Sequence, residues 1–136
     1  MDTVHGTAVA IDGTGILLRG PSGCGKSDLA LRLIDGGGIL VADDRCALFV
    51  EDGRVVARAP AVLRGRIEVR GLGIVTLQTL DHAALALVVD LANGPIERLP
   101  ETEFADLLGV AVRRLRLAAF EASTPAKIRM ALRALR

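Results

Sequence analysis

The chain has 136 residues, 51% of them hydrophobic, 24% charged and 2% aromatic, with a formal net charge of +1. That length builds one domain with a real core, and the near-neutral balance supplies no global field to recruit nucleic acid or an anionic membrane. No apolar run approaches the ~18 residues of a membrane span, and with neither Trp nor Tyr, and Phe104 the one aromatic expected near the surface, no base-stacking nucleic-acid platform is expected.

In chain order, Met1-Asp2-Thr3-Val4-His5 lacks the basic and apolar regions of a signal peptide, so a cytoplasmic location is expected. Ala8–Ile11 predicts a strand, Asp12-Gly13-Thr14-Gly15 a turn, and Ile16–Arg19 a second strand. A helix from about Ser27 to Asp35 stops at Gly36-Gly37-Gly38. Ile39–Ala42 reads as a buried strand that runs into Asp43-Asp44. Cys46–Glu51 and Arg54–Arg58 flank Asp52-Gly53, a type I′ hairpin signal. Arg64–Arg70 and Ile74–Leu77 predict further strands, and Ala84–Val89 a fully apolar one ending at Asp90. Glu101–Leu108 suits a short helix and Val110–Leu117 a strand. A final helix starts with Thr124 as N-cap and Pro125 at its first position. The expectation is a single α/β domain over residues 1–136, with more strands and fewer helices than a doubly wound nucleotide-binding fold. Cys24 and Cys46 have no metal or redox spacing and are expected to be reduced, small side chains.

The sharpest motif is Gly20-Pro21-Ser22-Gly23-Cys24-Gly25-Lys26-Ser27, which reads G-x-x-x-x-G-K-S between an apolar strand and a helix. Its glycines let successive N–H groups turn inward toward phosphate oxygens, at the positive end of a helix dipole. A nucleoside triphosphate is the expected ligand, with Lys26 on the β- and γ-phosphates and the Ser27 hydroxyl on Mg²⁺. Such a site needs a further carboxylate, usually at the end of an apolar strand. Asp43-Asp44 after Ile39–Ala42 and Asp90 after Ala84–Val89 both fit, and pattern alone does not separate them. The doubled acid offers one group for metal and one for a proton, and mutual repulsion raises a pKa toward that of a general base. Glu68 and Arg70, two apart in Ile67-Glu68-Val69-Arg70-Gly71, are either a surface ion pair or a metal ligand and a phosphate clamp. His5 reads locally as an exposed terminal residue. Seven basic residues against one acid between Arg113 and Arg136 give either the solvated face of a helix packed through Ile128, Ala131, Leu132 and Leu135, or a docking surface.

Taken together, His5-Gly6, the phosphate loop, Val41-Ala42-Asp43-Asp44 and Ile67-Glu68-Val69-Arg70-Gly71-Leu72-Gly73 resemble the catalytic domain of bacterial HPr kinase/phosphorylase. The resemblance runs from His5 to about Leu77, weakens to Glu97-Arg98-Leu99, and leaves residues 100–136 divergent. It implies a strand-rich phosphate-loop domain similar to phosphoenolpyruvate carboxykinase. It further implies an ATP- and Mg²⁺-dependent protein-serine kinase whose partner is an HPr-type phosphocarrier, with a homo-oligomer left open. By resemblance, Ser27 and Glu68 hold Mg²⁺, Lys26 neutralises phosphate charge, and Asp44 is the general base with Asp43 its metal-side neighbour. His5 matches an active-site histidine, and Arg98 an arginine that stabilises the transferred phosphoryl group. Family members usually carry an additional N-terminal domain, which this chain is expected to lack, a form suited to HPr in a regulatory phosphotransfer chain. Where the family has a dephosphorylation loop ending Pro-Gly-Arg, this chain has Ala118-Ala119-Phe120-Glu121-Ala122-Ser123, so any reverse reaction runs on altered residues. Two other readings stand beside the kinase. One is a small-metabolite kinase on the same scaffold, and the other a silent nucleotide-binding regulator, which would need no base.

Overall fold

Runs of four to six buried apolar residues, broken by glycine and aspartate turns, favour strands over helices through most of the sequence. The computed structural model of the chain describes residues 2–60 and 65–135. Its elements are β1 (Asp2–His5), β2 (Thr7–Ile11), β3 (Thr14–Arg19), α1 (Lys26–Asp35), β4 (Ile39–Ala42), β5 (Arg45–Glu51) and β6 (Arg54–Arg58). There follow β7 (Arg66–Val69), β8 (Gly73–Thr76), β9 (His82–Leu91), β10 (Glu103–Leu107), β11 (Val110–Leu117) and α2 (Thr124–Ala134). The main sheet runs β1-β5-β6-β9-β3-β2-β4, and β11 adds to β9 with β10 beyond it. β9 is parallel to both β3 and β11 and antiparallel to β6; β7 and β8 form a separate hairpin.

Alternation along the central strands sorts their side chains onto two faces. Val9, Ile16, Leu18, Leu87 and Val89 face one way and are covered by Leu29 and Leu33 of α1 and Ile128 and Leu132 of α2. Ala8, Ala10, Leu17 and Val88 face the other way, where residues of β4, β5, β6, β10 and β11 close the core without a helix. Both cysteines are buried and unpaired, and burial pushes the Cys46 thiol up to about 12.

Several expectations need correction. Glu103–Leu107 is a strand, not part of a helix: Ala105 and Leu107 are buried while Phe104 and Asp106 are exposed, a period of two. The Leu108-Gly109 turn, with φ of 53° and 84°, folds it back on β11. His5, read locally as a terminal residue ahead of the first strand, closes an edge strand, Asp2–His5, paired with β5 from Asp2↔Leu48 to His5↔Arg45. In α2 the cap position belongs to Ser123, and the Thr124 hydroxyl instead donates to the Ala118 carbonyl at 2.5 Å. Leu135, expected to pack inward, is exposed. The strand expected from Arg64 runs from Arg66 among the described residues, and Arg64 itself lies outside them.

Candidate active site

The phosphate loop is held at both ends by the core. Upstream, β3 lies between β2 and β9; downstream, α1 packs its buried Leu29, Ala30 and Leu33 under the sheet. Gly25 stands at the helix entrance with φ 102°, a left-handed conformation that glycine adopts without strain. A cleft of about 610 Å³ opens above, lined by Ser22, Gly23, Gly25, Lys26 and Ser27 of the loop, by Asp43 and Asp44, and by Glu68 and Arg70. Gly20, Pro21 and Cys24 are not among the lining residues; Pro21 is exposed, and Cys24 is buried against Gly20. Lys26 is buried, and its ammonium donates to the carbonyls of Gly20 at 2.6 Å and Pro21 at 3.1 Å. The cation is thereby presented on the loop, with partners that only accept.

β4 ends at the same cleft and delivers Asp43 and Asp44 to different surroundings. Asp43 Oδ1 accepts from the Thr7 hydroxyl at 3.1 Å and the Ser27 hydroxyl at 3.3 Å. Burial raises its pKa above the ordinary aspartate value, against those hydroxyls, and the neighbouring Asp44 charge adds to the rise. Asp44 sits in the left-handed region with φ 64°, a conformation aspartate tolerates better than most residues. The turn is pinned by Gly6 N–H to the Asp44 carbonyl at 2.9 Å and by the Asp44 N–H to the Thr7 hydroxyl at 3.2 Å. So fixed, its side chain stands 67% exposed, with Oδ1 2.7 Å from His5 Nε2. A carboxylate only accepts, so Nε2 carries the hydrogen and Nδ1 is left to face solvent or a proton donor.

The hairpin β7–β8 approaches from a third direction, with β7 beside α1. Glu68 on β7 and Arg70 in the turn that follows are both exposed and both line the cleft, so they lie at this opening rather than on a remote surface. His5, Lys26, Ser27, Asp43, Asp44 and Glu68 thus come together. Arg98 does not: it is exposed in the segment between β9 and β10 and is absent from the cleft lining. Asp90, the rival strand-end carboxylate, is engaged elsewhere. It accepts from Arg19 at 2.8 and 3.0 Å and from Arg114, which also reaches Glu103 at 2.6 Å. Burial opposes its ionisation, yet these two guanidinium groups prevail and hold its carboxyl below the ordinary range.

Two contributors escaped the sequence reading. Thr7, fully buried, links Asp43 to the Asp44 backbone; its signal was a lone hydroxyl in an otherwise apolar strand. Phe120 lines the cleft and is 68% exposed, which overturns Phe104 as the one surface aromatic. The oxygen-only donors Ser27, Asp43 and Glu68 suit Mg²⁺, which keeps waters and phosphate oxygens to complete its shell. Among the described residues no cluster of three or more His, Cys, Asp or Glu could hold a metal ion by itself. No helix among them is long and apolar enough to cross a membrane.

The family model described as HPr Serine kinase C-terminal domain matches residues 1–131, well past the stretch from His5 to Leu77 on which the resemblance rested. The HPr kinase/phosphorylase of Lactobacillus acidophilus is 42% identical over 100 residues, covering 68% of this chain and 31% of that protein. That of Bordetella petrii is 38% identical over 128 residues, covering 85% and 42%. The chain therefore spans 31% and 42% of the length of these two relatives. The structure of the Hpr(Ser) kinase/phosphatase from Coxiella burnetii superposes with a TM-score of 0.85 at 26% identity, over 98% of this chain and 90% of that one.

Proposed function

The chain belongs to the HPr serine kinase C-terminal domain family, and from that premise we propose that it transfers the γ-phosphoryl group of ATP to a serine hydroxyl of an HPr-type phosphocarrier in the cytoplasm. The observation that carries this reading is the meeting of a His5-held Asp44 and the Ser27–Asp43 pair over one phosphate loop. A nucleotide-binding regulator needs the loop but not the aligned base. In the proposed reaction the serine oxygen forms a bond to the γ-phosphorus as the bond from that phosphorus to the β,γ-bridging oxygen breaks, and ADP leaves. Asp44 accepts the serine proton, and His5 fixes the orientation of its carboxylate. Lys26 exchanges the Gly20 and Pro21 carbonyls for phosphate oxygens, offsetting charge that would otherwise repel the incoming group. Mg²⁺, held by Ser27 and Glu68 with Asp43 behind Ser27, would neutralise and align the phosphate chain. The exposure of Asp44 and of the hairpin leaves an open approach for a protein substrate. Arg98 joins the proposal as a charge-stabilising residue through its family position alone.

The test is incubation with Mg²⁺, labelled ATP and purified HPr, beside HPr whose regulatory serine is replaced by alanine. Label on the first protein only is the expected result. ATP binding without label on either would favour the silent regulator, and consumption of ATP with a small hydroxylated metabolite but not HPr would favour the metabolite kinase. A parallel incubation of phosphorylated HPr with inorganic phosphate reads out the reverse reaction.

A further inference from the structure

A large aromatic ring left in solvent beside a phosphate cradle calls for an account, because burying it elsewhere would stabilise the fold. Phe120 is 68% exposed, yet it is not loosely placed. A Cβ added at Gly25 would meet its ring atoms at 2.9 and 3.2 Å, so the ring lies against the phosphate-loop backbone itself. The carbonyls on either side, those of Ala119 and Glu121, both accept from the Arg32 guanidinium, which Asp28 holds one helical turn away at 2.9 Å. The Thr124 hydroxyl ties Ala118, and Lys127 pairs with the Glu121 carboxylate at 3.2 Å. Arg32 and Thr124 thus fix the backbone of residues 118–121 while Lys127 holds the Glu121 side chain, and α1, the helix that opens from the phosphate loop, supplies Arg32. Beside the ring the cleft is lined by Leu31, also exposed, so its charged groups are joined by an apolar surface that phosphate cannot use.

We propose that Phe120 is the platform for the base of the nucleotide, stacking on it while the phosphate loop holds the triphosphate. The proposal rests on the nucleotide-binding reading above and assigns to this site the part of the ligand that the loop leaves unrecognised. Stacking on a planar ring is tolerant of base identity, so the base of the nucleoside triphosphate is held by its flat face rather than by a hydrogen-bond pattern. The Asp28–Arg32 bracket acts as a positioning pair, keeping the ring in place before the ligand arrives.

The experiment compares Mg²⁺-ATP with Mg²⁺-tripolyphosphate, which has the phosphates without the base, by calorimetric titration of the parent chain, Phe120→Ala and Phe120→Tyr. Expected is a weakening of ATP binding by about tenfold in Phe120→Ala, on the order of one base–aromatic stack. Tripolyphosphate affinity should stay within about twofold, and Phe120→Tyr, which keeps the ring, should restore ATP affinity. Equal loss of both ligands would overturn the proposal, placing Phe120 as a brace of the loop. So would unchanged ATP affinity with a raised KM for the protein substrate, which would place the ring at that partner's surface. Failure of the parent chain to bind either ligand would remove the nucleotide reading itself, an outcome distinct from any effect confined to Phe120.

Discussion

Two strands of this sheet bring an aspartate to their C-terminal ends, Asp90 next to last in β9 and Asp43 just past β4, and the two have opposite fates. Asp90 lies between two arginines and its pKa falls; Asp43 lies among hydroxyls and its pKa rises. The first is a strut: burial, hydrogen bonds and charge are all satisfied within the protein, and it ties β3, β9 and β11 together at the point where the phosphate loop departs. The second is left short of positive charge at the rim of a cleft, with Asp44 exposed beside it. A carboxylate whose protein partners are only hydroxyls still has electrostatic capacity for a cation or a proton, and one between two guanidinium groups has spent it.

That contrast can be broken by substitution. The largest expected effect is on the exposed member of the β4 end. Asp44→Asn should lower kcat of HPr phosphorylation by about a hundred- to ten-thousandfold, the usual worth of a general base. Its melting temperature should hardly change, because asparagine also accepts a positive φ. A rate equal to the parent's would remove Asp44 from the proton transfer. Next in size, Asp90→Asn should cost about 2 kcal/mol of unfolding free energy in urea titrations, since two half-buried arginines lose a charged acceptor.

The smallest effect carries the opposite sign. The pKa of Asp43 is raised by folding, so its ionised form disfavours the folded state above that pKa and ceases to do so once both states are protonated. Asp43→Asn should therefore melt slightly higher than the parent at neutral pH, with the gain vanishing as pH falls below the ordinary aspartate range. For Asp90, whose pKa is lowered, the stabilisation is present above the ordinary range and is lost as pH falls through the folded value. The deficit of Asp90→Asn should accordingly shrink on acidification. Melting curves of both variants across that window check the two signs together; shifts of the same sign would erase the distinction between strut and site.

The β4 end was legible because its chemistry is local: a phosphate loop, a doubled acid and Glu68 each announce themselves within a few residues. Even so, pattern could not choose between Asp43-Asp44 and Asp90, since the arginines that occupy Asp90 come from positions 71 residues before and 24 after it. Long-range pairing hid the other features too. β1 is an edge strand with little burial, so it shows no alternation, and its partner β5 lies some forty positions on. The β10–β11 hairpin turns through a leucine at positive φ, which no turn preference would select. Phe120 owes its place to Arg32, 87 to 89 residues away from the carbonyls it binds. Roles that reside in a motif could be read from the chain, whereas roles that depend on distant tethers could not.

The ladder around β3 also bears on how the chain acquires its shape. Residues Thr14–Arg19, which lead into the phosphate loop, pair on one side with β2 immediately before them and on the other with Gly15↔Leu85 through Arg19↔Asp90. β9 in turn is completed by β11 as late as Leu117. Half of the ladder that anchors the loop thus comes from residues about seventy positions further along the chain than β3. Closing so long a loop is slow and precedes any reward from the contacts it brings. Nucleotide affinity should therefore emerge late in folding, only once the β3–β9 pairing has closed.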